Sequence, residues 1–332
     1  MSEFVSIDAL AIGVNTVDVL VQLPDHYTAG EKLPARDLVI QGGGPAATAA
    51  CVLASLGWRT GFITHLGDDE LSIISRADFK RCGVVDDFFI MDPNASPVAA
   101  VIHVNPQTGE RTIFYTANRY KFLAASDIPL EIVRRAKLVL VDGYERDAAP
   151  TVLDAVRKAG GRSVLDIEGG ASERAFRLLQ LGTDCILPIN VARMLTGEET
   201  VERVLHRLAE KTPAQLIVTD GVQGSWALTE DGVLHQPAFA VAAVDTTGCV
   251  MPFMAPMEPD SWADWRCVAG WNWPLGSLRK LRSDSGGRSH LPTRDSFKHM
   301  DQSVFSPELQ KGLMSPQWNS GAAANSPFGS SG

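Results

Sequence analysis

Three glycine-bearing motifs combine residue types that can hold an oxygen-rich or anionic ligand. Residues 42–50 read Gly-Gly-Gly-Pro-Ala-Ala-Thr-Ala-Ala, residues 218–224 read Val-Thr-Asp-Gly-Val-Gln-Gly, and residues 244–248 read Val-Asp-Thr-Thr-Gly. Glycine lets the backbone approach a ligand closely, and free amide groups at a helix start favour negatively charged oxygen. Each motif alone is also compatible with a tight turn of purely structural role. The third needs a following helix to form a phosphate cradle.

The elements that must position these motifs alternate from residue 6 to about residue 244. Short β-branched runs alternate with helical patterns, which is typical of a parallel sheet covered by helices. The second motif then falls at the carboxyl edge of the sheet, where ligands bind in such folds. The predicted strands are residues 9–14, 60–65, 138–142, 163–166, 185–187 and 216–219. The predicted helices are residues 46–56, 71–81, 148–159, 173–180 and 201–211.

Two further pairs of segments predict hairpin strands in a small β lid outside the main sheet. Residues 18–23 pair with 32–39, and residues 98–104 pair with 111–115. The lid would extend over about residues 15–40 and 97–118. Lys32 and Arg36 lie four positions apart on one predicted strand, so their side chains are expected on one face. They could clamp an anionic substrate group or solvate an edge strand, and the second interpretation is favoured.

Composition and charge exclude several classes of protein. The chain has 332 residues, of which 45% are hydrophobic, so a packed core is expected and a fibrous protein is excluded. A net charge of −9 is the wrong sign for a protein that coats nucleic acid or an anionic membrane. No apolar run approaches the ~20 residues of a membrane span, and the first eight residues lack the basic start of a signal peptide. The five cysteines lack CxxC spacing and the seven histidines lack paired ligand spacing, which predicts no metal bound by the chain and a reducing, cytoplasmic location.

The C-terminal part of the sequence differs in composition. Four of the seven tryptophans lie in residues 249–277, where four prolines interrupt any regular pattern. From residue 301 to 332 the chain is rich in Ser, Gly, Ala, Asn and Pro, which predicts a disordered tail. We therefore expect one folded domain over residues 1–300, with an aberrant segment at 249–285.

Taken together, in this order and spacing, the three motifs resemble those of the ribokinase-like (PfkB) family of sugar and nucleoside kinases. Further matches are residues 67–69 (Gly-Asp-Asp), 195–197 (Leu-Thr-Gly) and 286–288 (Gly-Gly-Arg). The resemblance covers about residues 6–300 and implies an α/β three-layer sandwich with a mostly parallel central sheet and a small β lid. It also implies ATP-dependent phosphorylation of a sugar hydroxyl, Mg²⁺ on the phosphates, and a homodimer formed through the lid.

The resemblance implies roles for individual residues on two sides of a site. Asp18 would bind sugar hydroxyls, and the glycines of the first motif would line the sugar pocket. The substrate-side candidates are Asp18, Gly43, Gly44 and Lys32. The residues that would border ATP are Thr219, Gly221, Gly224 and Asp245. The anion hole for the transferring γ-phosphoryl group would be formed by Thr246, Thr247 and Gly248.

The sequence departs from the family pattern where the catalytic base is expected. Family members continue the third motif as Gly-x-Gly-Asp, and that Asp takes the proton from the attacking hydroxyl. Here the two positions are Val250 and Met251, and a thioether cannot accept the proton. One base inserted after the codon of Cys249 could restore Cys-Gly-Asp-Ala-Phe, with a compensating shift near residues 276–284. We therefore favour a frameshift over a genuinely divergent, tryptophan-rich loop.

Substrate and activity stay open at the level of sequence. The first motif is most similar in sequence to that of the sulfofructose kinase branch. However, Tyr144 and Tyr115 stand where that branch is expected to have Arg and Asn. A sulfosugar is therefore not supported. Asp166 and Glu168 could position Mg²⁺-bound water or cap a helix. The leading interpretation is an impaired sugar kinase, and the alternatives are a nucleoside kinase and a non-catalytic sugar or nucleotide binder.

Overall fold

A nine-stranded sheet forms the centre of the protein. The computed structural model describes residues 6–238, apart from residues 25, 27, 29, 105–110 and 171, together with Leu291. Seven neighbouring strands are parallel, and an antiparallel pair extends one edge. In spatial order the strands are β13 (Gly232–Gln236), β12 (Ser225–Thr229), β11 (Gln215–Thr219), β10 (Asp184–Pro188), β9 (Ser163–Asp166), β8 (Leu138–Val141), β1 (Ala9–Ile12), β4 (Thr60–Leu66) and β5 (Phe89–Met91).

Helices cover both faces of this sheet. Alternate residues of β1 enter two separate hydrophobic clusters, Ala9 and Ala11 on one face and Leu10 and Ile12 on the other. Strands buried on both faces are typical of parallel sheets, and the three-layer sandwich is confirmed. On the first face lie α1 (Pro45–Ser55) and α2 (Glu70–Cys82). On the second face lie α3 (Leu130–Arg135), α4 (Ala148–Lys158), α5 (Ser172–Leu181), α6 (Ile189–Thr196) and α7 (Val201–Ala209).

The strand order reverses between β1 and β8. From β1 the chain moves outward to β4 and β5, and then returns to β8 and proceeds through β9, β10 and β11 in the opposite direction. Loops that leave the carboxyl ends of two strands at such a reversal diverge and leave a crevice between them. Ligands of open α/β sheets bind in this crevice. The fold therefore points to the loops after β1 and β8.

The lid is a second sheet of four strands. In spatial order they are β3 (Asp37–Gly43), β2 (Thr16–Gln22), β6 (Val98–Val104) and β7 (Arg111–Thr116). The prediction that residues 32–39 form one strand was wrong, because β3 begins only at Asp37. Pro34 has no amide hydrogen to donate to a ladder, and Lys32 and Arg36 lie in the exposed loop before the strand.

The two faces of the lid have different chemistry. Asp18 in β2 pairs with Gln41 and Ala100, and Ala100 pairs with Tyr115. Because side chains alternate along a strand, these four residues share one face, which we call the inner face. The next row, on the outer face, contains apolar side chains from all four strands. It consists of Val19, Ile40, Val101 and Phe114.

All six predicted parallel strands exist, and the five predicted helices are confirmed with ends displaced by at most two residues. The sequence prediction missed β5, β12, β13, α3 and α6. Strand β5 has three residues and α3 has six, too few for a periodic pattern. Within the described part of the chain, no helix has the length and apolar character needed to cross a membrane. The predicted tail and the aberrant segment lie outside the described residues, so the predicted domain limits stay a prediction.

Candidate active site

A cavity of about 670 Å³ opens between the inner face of the lid and the carboxyl ends of the central strands. Its volume lies within the range of small-molecule sites. The loops after β1, β8 and β9 each contribute to it, so it coincides with the reversal of strand order. Lining residues from these loops are Val14, Tyr144, Arg146 and Glu168. Lining residues from the lid include Asp18, Gln41, Ala100, Arg111 and Tyr115.

The glycine loop before α1 forms one wall of the cavity, and two of its glycines are required by close contacts. A Cβ atom on Gly43 would lie 2.0 Å from Oδ2 of Asp18. Gly44 has a φ of +94°, and a Cβ atom there would lie 2.0 Å from the carbonyl oxygen of Val14. Pro45 then begins the helix, where its missing amide hydrogen costs nothing. The loop therefore lies directly against β1 and β2.

Asp18 lies against this loop within the cavity. Its side chain is buried, and the hydroxyl of Thr16 donates a hydrogen bond to its Oδ1 at 2.7 Å. A carboxylate fixed in this way can accept hydrogen bonds from sugar hydroxyls. Asp18, Gly43 and Gly44, which the sequence analysis assigned to the substrate, all line the same cavity.

Two buried carboxylates hold the glycine loop in place. Asp142, at the end of β8, accepts hydrogen bonds from the amides of Val14 and Ala46 at its Oδ2, at 2.9 and 3.3 Å. The amide of Gly42 donates to Oδ2 of Asp78 at 3.2 Å. The sequence analysis expected free amides at this helix start, but the amide of Ala46 is satisfied by Asp142, and the amide of Gly42, near the end of β3, is satisfied by Asp78. Burial raises the pKa of Asp142 to about 7 against the effect of these amides, which lower it.

Glu145 orders the side of the cavity next to β8. The hydroxyl of Tyr120 donates a short hydrogen bond to its Oε1, and the amide of Leu123 donates to its Oε2 at 2.7 Å. Burial raises the pKa of Glu145 to about 7. Tyr120 and Phe122 both line the cavity, so Glu145 fixes this wall without lining the cavity itself.

Two further acids lie at the carboxyl end of β9. Both carboxylate oxygens of Asp166 are buried and have no hydrogen-bond partner among the described residues. Burial and the neighbouring carboxylates of Glu168 and Asp142 raise the pKa of Asp166 well above its usual value. The hydroxyl of Tyr144 donates to Oε2 of Glu168 at 3.2 Å. A smaller cavity of about 180 Å³, lined in part by Glu168 and Arg174, adjoins the main one.

The loop after β11 lies at the same edge of the sheet but outside the lid cavity. Thr219 ends β11, and Gly221 and Gly224 have φ values of +47° and +98°. A Cβ atom on Gly221 would meet no described residue within 4 Å, so this part of the chain leaves the backbone there open to a ligand. Three strand spacings separate β11 from β8, about 14 Å along the edge. Asp245, Thr246, Thr247, Gly248 and Met251 lie outside the described residues.

Other residues depart from the sequence analysis. Lys32 is exposed and does not line the cavity, so its role in substrate binding stays a prediction. Arg146 and Arg174 line the cavity and were missed. Arg146 lies in the loop after β8, from which the sequence analysis considered only Tyr144. Arg174 lies inside a helix pattern and carries no sequence signal of a site.

Comparison with protein families defines the class of this protein. The model of the pfkB family carbohydrate kinases matches residues 3–249, and the chain belongs to this family. Two of the similar curated proteins are a deoxyribokinase of Salmonella typhi and a fructokinase of Escherichia coli. The first is 26% identical over 254 residues, which are 73% of this chain and 81% of the relative. The second is 28% identical over 229 residues, which are 64% of this chain and 74% of the relative.

Solved ribokinase structures share the fold. The ribokinase of Arabidopsis thaliana, complexed with ribose and ATP, superposes with a TM-score of 0.71 at 24% identity, covering 88% of this chain and 97% of that one. The ribokinase of Thermotoga maritima gives a TM-score of 0.71 at 20% identity, covering 93% of this chain and 99% of that one. At these identities the likeness establishes the ribokinase-like fold.

Proposed function

We propose that this chain is built for the ATP-dependent phosphorylation of a sugar hydroxyl, with the sugar bound beneath the lid. The observation that carries the proposal is the placement of Asp18, Gly43 and Gly44 in one cavity where the strand order reverses. Membership of the pfkB family supports the reaction class. The relatives named deoxyribokinase and fructokinase support a sugar as the acceptor.

The residues of the cavity would act by positioning. Asp18 accepts hydrogen bonds from sugar hydroxyls, while Thr16 holds its carboxylate in one orientation. The amide of Gln41, which pairs with Asp18 across the lid, offers a donor and an acceptor on the same face. Holding the acceptor hydroxyl in line with the phosphoryl donor removes much of the entropic cost of the reaction.

The nucleotide side fits ATP and Mg²⁺. The open backbone at Gly221 leaves room for ATP beside Thr219 and Gly224. Asp166 and Glu168 offer carboxylate oxygens, the ligand type that Mg²⁺ prefers, and those of Asp166 have no partner among the described residues. When bound, Mg²⁺ would neutralise charge on the phosphates during transfer.

We further propose that this chain transfers phosphoryl groups poorly, because Met251 stands at the position of the base. The match to the family model ends at residue 249, where the aberrant segment was predicted to begin. This coincidence supports a break in the family pattern at that point. Asp245, Thr246, Thr247 and Gly248 precede the break and keep the composition of an anion hole.

A turnover assay tests the reaction and its impairment together. The full chain would be mixed with ATP, Mg²⁺ and a panel of ketoses, aldoses and nucleosides, and ADP formation measured. We expect near-background turnover for the unaltered chain and at least a tenfold gain for Met251→Asp combined with Val250→Gly. Met254→Asp, which adds the same charge three positions later, is the matched control. Strong turnover by the unaltered chain would contradict the impairment.

A binding assay separates the kinase from a non-catalytic binder. Calorimetry of sugars with the unaltered chain and with Asp18→Asn reports on the cavity whether or not transfer occurs. We expect Asp18→Asn to weaken sugar binding at least tenfold, because the amide replaces an acceptor with a donor. Sugar binding that persists without any turnover in the Met251→Asp, Val250→Gly variant would favour the binder. Resequencing the gene tests the frameshift, and a read with no missing base would contradict it.

We also propose a homodimer in which a second copy covers the outer face of the lid. Ile40, Val101 and Phe114 are aligned across the strands there and are 52%, 39% and 57% exposed. An apolar row of this kind on an open sheet favours burial against a partner. We expect sedimentation to give a dimer for the unaltered chain and a monomer for Phe114→Glu. Ile73→Glu, at an exposed apolar position on α2, should stay dimeric, and a dimeric Phe114→Glu would contradict the proposal.

A cytoplasmic location is likewise a proposal. It is supported by the described cysteines, Cys51, Cys82 and Cys185, which are buried and in the reduced state. Free thiols are typical of reducing compartments. Fractionation of the source cells, with detection of the native chain, tests the location.

A further inference from the structure

The inner face of the lid changes from polar to cationic along its strands. Next to Asp18 the face carries Ala100 and Tyr115, and two residues further along it carries Ile102 paired with Ile113. Two residues beyond that pair, Arg111 lines the cavity. Four residues of extended strand separate Arg111 from Tyr115, which is ~13 Å. The cavity therefore has a hydroxyl-binding end at Asp18 and a cationic end at Arg111.

Two further arginines reach the cavity from the opposite side. Arg146 comes from the loop after β8, and its guanidinium lies over the ring of Phe122, 5.6 Å from the ring centroid. Arg174 comes from α5 and donates a short hydrogen bond to the carbonyl oxygen of Gly143. Three guanidinium groups from three separate elements thus line one cavity.

The acids of the cavity do not balance these arginines. Among its described lining residues the carboxylates are Asp18, at the other end, and Glu168. Glu168 accepts a hydrogen bond from Tyr144 and interacts electrostatically with Arg111. Arg146 and Arg174 have no ion pair with a carboxylate in the described part of the chain. Arg174 also interacts electrostatically with Glu145, but both oxygens of that carboxylate already accept hydrogen bonds.

We propose that Arg111, Arg146 and Arg174 form an anion-binding subsite, and that the sugar carries an oxyanion at the end remote from Asp18. Guanidinium groups bind carboxylate, phosphate and sulfonate oxygens in a planar, often bidentate geometry. A net positive end in a protein of net charge −9 is the local charge that attracts such a ligand. This inference rests on the proposed sugar site, and it specifies the substrate class for that site.

The subsite also predicts the orientation of the sugar in the cavity. If the oxyanion occupies the arginines, the hydroxyls at the opposite end of the sugar lie against Asp18 and the glycine loop. A neutral sugar would bring no charge to the three guanidinium groups. The discrimination between acidic and neutral sugars is therefore expected in affinity, before any chemical step.

Calorimetry with the full chain and no nucleotide tests the subsite. Three matched pairs identify the oxyanion: a hexose and its hexuronate, a ketose and its 6-phosphate, and a ketose and its 6-sulfonate. We expect at least one acidic member to bind tenfold or more tightly than its neutral partner. That preference should shrink as salt rises from 50 to 500 mM.

Variants assign the preference to the arginines. Arg146→Gln combined with Arg174→Gln should remove the acidic preference. Arg177→Gln, an exposed position on α5 outside both cavities, is the matched control and should keep the preference. Thermal unfolding confirms that each variant is folded.

Three outcomes would overturn the inference. The first is equal affinity within every pair or no binding of any acidic sugar, and the second is a preference that survives in the double variant. The third is a double variant that loses affinity for ATP while sugar binding is unchanged, because the arginines would then serve the nucleotide. If neutral sugars bind through Asp18 and acidic sugars bind no more tightly, the subsite is contradicted but the sugar site is not. If acidic sugars are preferred but no turnover is found, only the kinase proposal is contradicted.

Discussion

The two glycine-bearing loops in the described part of the chain use glycine for different reasons. In the loop before α1, the space beside Gly43 and Gly44 is filled by Asp18 and by the Val14 carbonyl, each with an oxygen 2.0 Å from where a Cβ atom would lie. In the loop after β11, no residue that the structure describes lies within 4 Å of where a Cβ atom on Gly221 would be. The first loop is packed against the protein, whereas the second is packed at Gly224, where a Cβ atom would lie 2.1 Å from the carbonyl oxygen of Gln236, and is accessible at Gly221.

This difference separates stability from ligand binding. The loop before α1 is fixed by Asp142 and Asp78, so a change there should affect the fold and the proposed sugar site together. The loop after β11 has no such contacts at Gly221, so a change there should affect the proposed nucleotide site alone. Substitutions in and around the two loops test this separation.

The largest effect is expected for Gly44→Ala. The φ of +94° is unfavourable for alanine, and the added methyl group would overlap the Val14 carbonyl oxygen. Backbone strain and overpacking each cost about 1–3 kcal/mol, so we expect a loss of about 3–5 kcal/mol in the free energy of unfolding. Urea unfolding measures it. Gly160→Ala, at a φ of +69° with nothing within 4 Å, is the control for strain without overlap, and equal losses in both variants would contradict the packed loop.

Asp142→Ala should have the next largest effect. The carboxylate accepts hydrogen bonds from Val14, Ala46 and Tyr144, and its removal leaves buried donors without partners. Each such donor costs about 1–3 kcal/mol, partly offset because an acid with a raised pKa is itself unfavourably buried. We expect a net loss of about 2–3 kcal/mol in the free energy of unfolding, together with weaker sugar binding. A stable variant with full sugar affinity would show that Asp142 does not hold the loop.

The sequence predicted the sheet better than it predicted the cavity. Buried parallel strands consist largely of apolar runs, and six of the seven were found from that pattern, the exception being the three-residue β5. Glycine motifs located the two loops because a backbone that approaches other groups closely requires residues without a side chain. The roles of Asp142 and Asp78 could not be predicted, because they depend on which loop amides face the carboxylates after folding.

The cationic end of the cavity also could not be predicted from the sequence. Arg111, Arg146 and Arg174 lie in a lid strand, a loop and a helix, separated by 35 and 28 positions in the chain. Only the packing of the lid over the carboxyl edge brings them into one cavity. By contrast, Lys32 and Arg36 are close in sequence and were considered as an anion clamp, yet both lie in an exposed loop.

Gly221→Ala should have a smaller effect on stability and a specific effect on nucleotide binding. No residue in the described part of the chain lies within 4 Å of the added methyl group, so we expect a loss of no more than about 1 kcal/mol, from the φ of +47°. ATP affinity should fall several-fold, because the methyl group occupies the space proposed for the nucleotide. Calorimetry with ATP measures it, and Gly160→Ala should match the stability loss without the binding loss. Unchanged ATP affinity in Gly221→Ala would remove this loop from the nucleotide site.

The smallest expected effect is on the pH dependence of stability, to which the buried acids beside the cavity contribute. Burial raises the pKa values of Asp142 and Glu145 to about 7, so the folded state binds their protons more tightly than the unfolded state does. The stability gained from this difference is fully present below the ordinary carboxyl pKa values and is lost as the pH rises through about 7. We therefore expect the thermal midpoint to fall between pH 5 and pH 8.

Glu145→Gln isolates one part of that slope. Its carbonyl oxygen can still accept from the amide of Leu123, and its NH₂ group can donate to the hydroxyl of Tyr120, so both contacts survive without a titrating group. The fall in thermal midpoint between pH 5 and pH 8 should become shallower in this variant. Glu131→Gln, at an exposed position on α3, should leave the slope as it was. A slope unchanged in Glu145→Gln would show that Glu145 is ionised in the folded protein throughout this range, and that the wall of the cavity carries its charge.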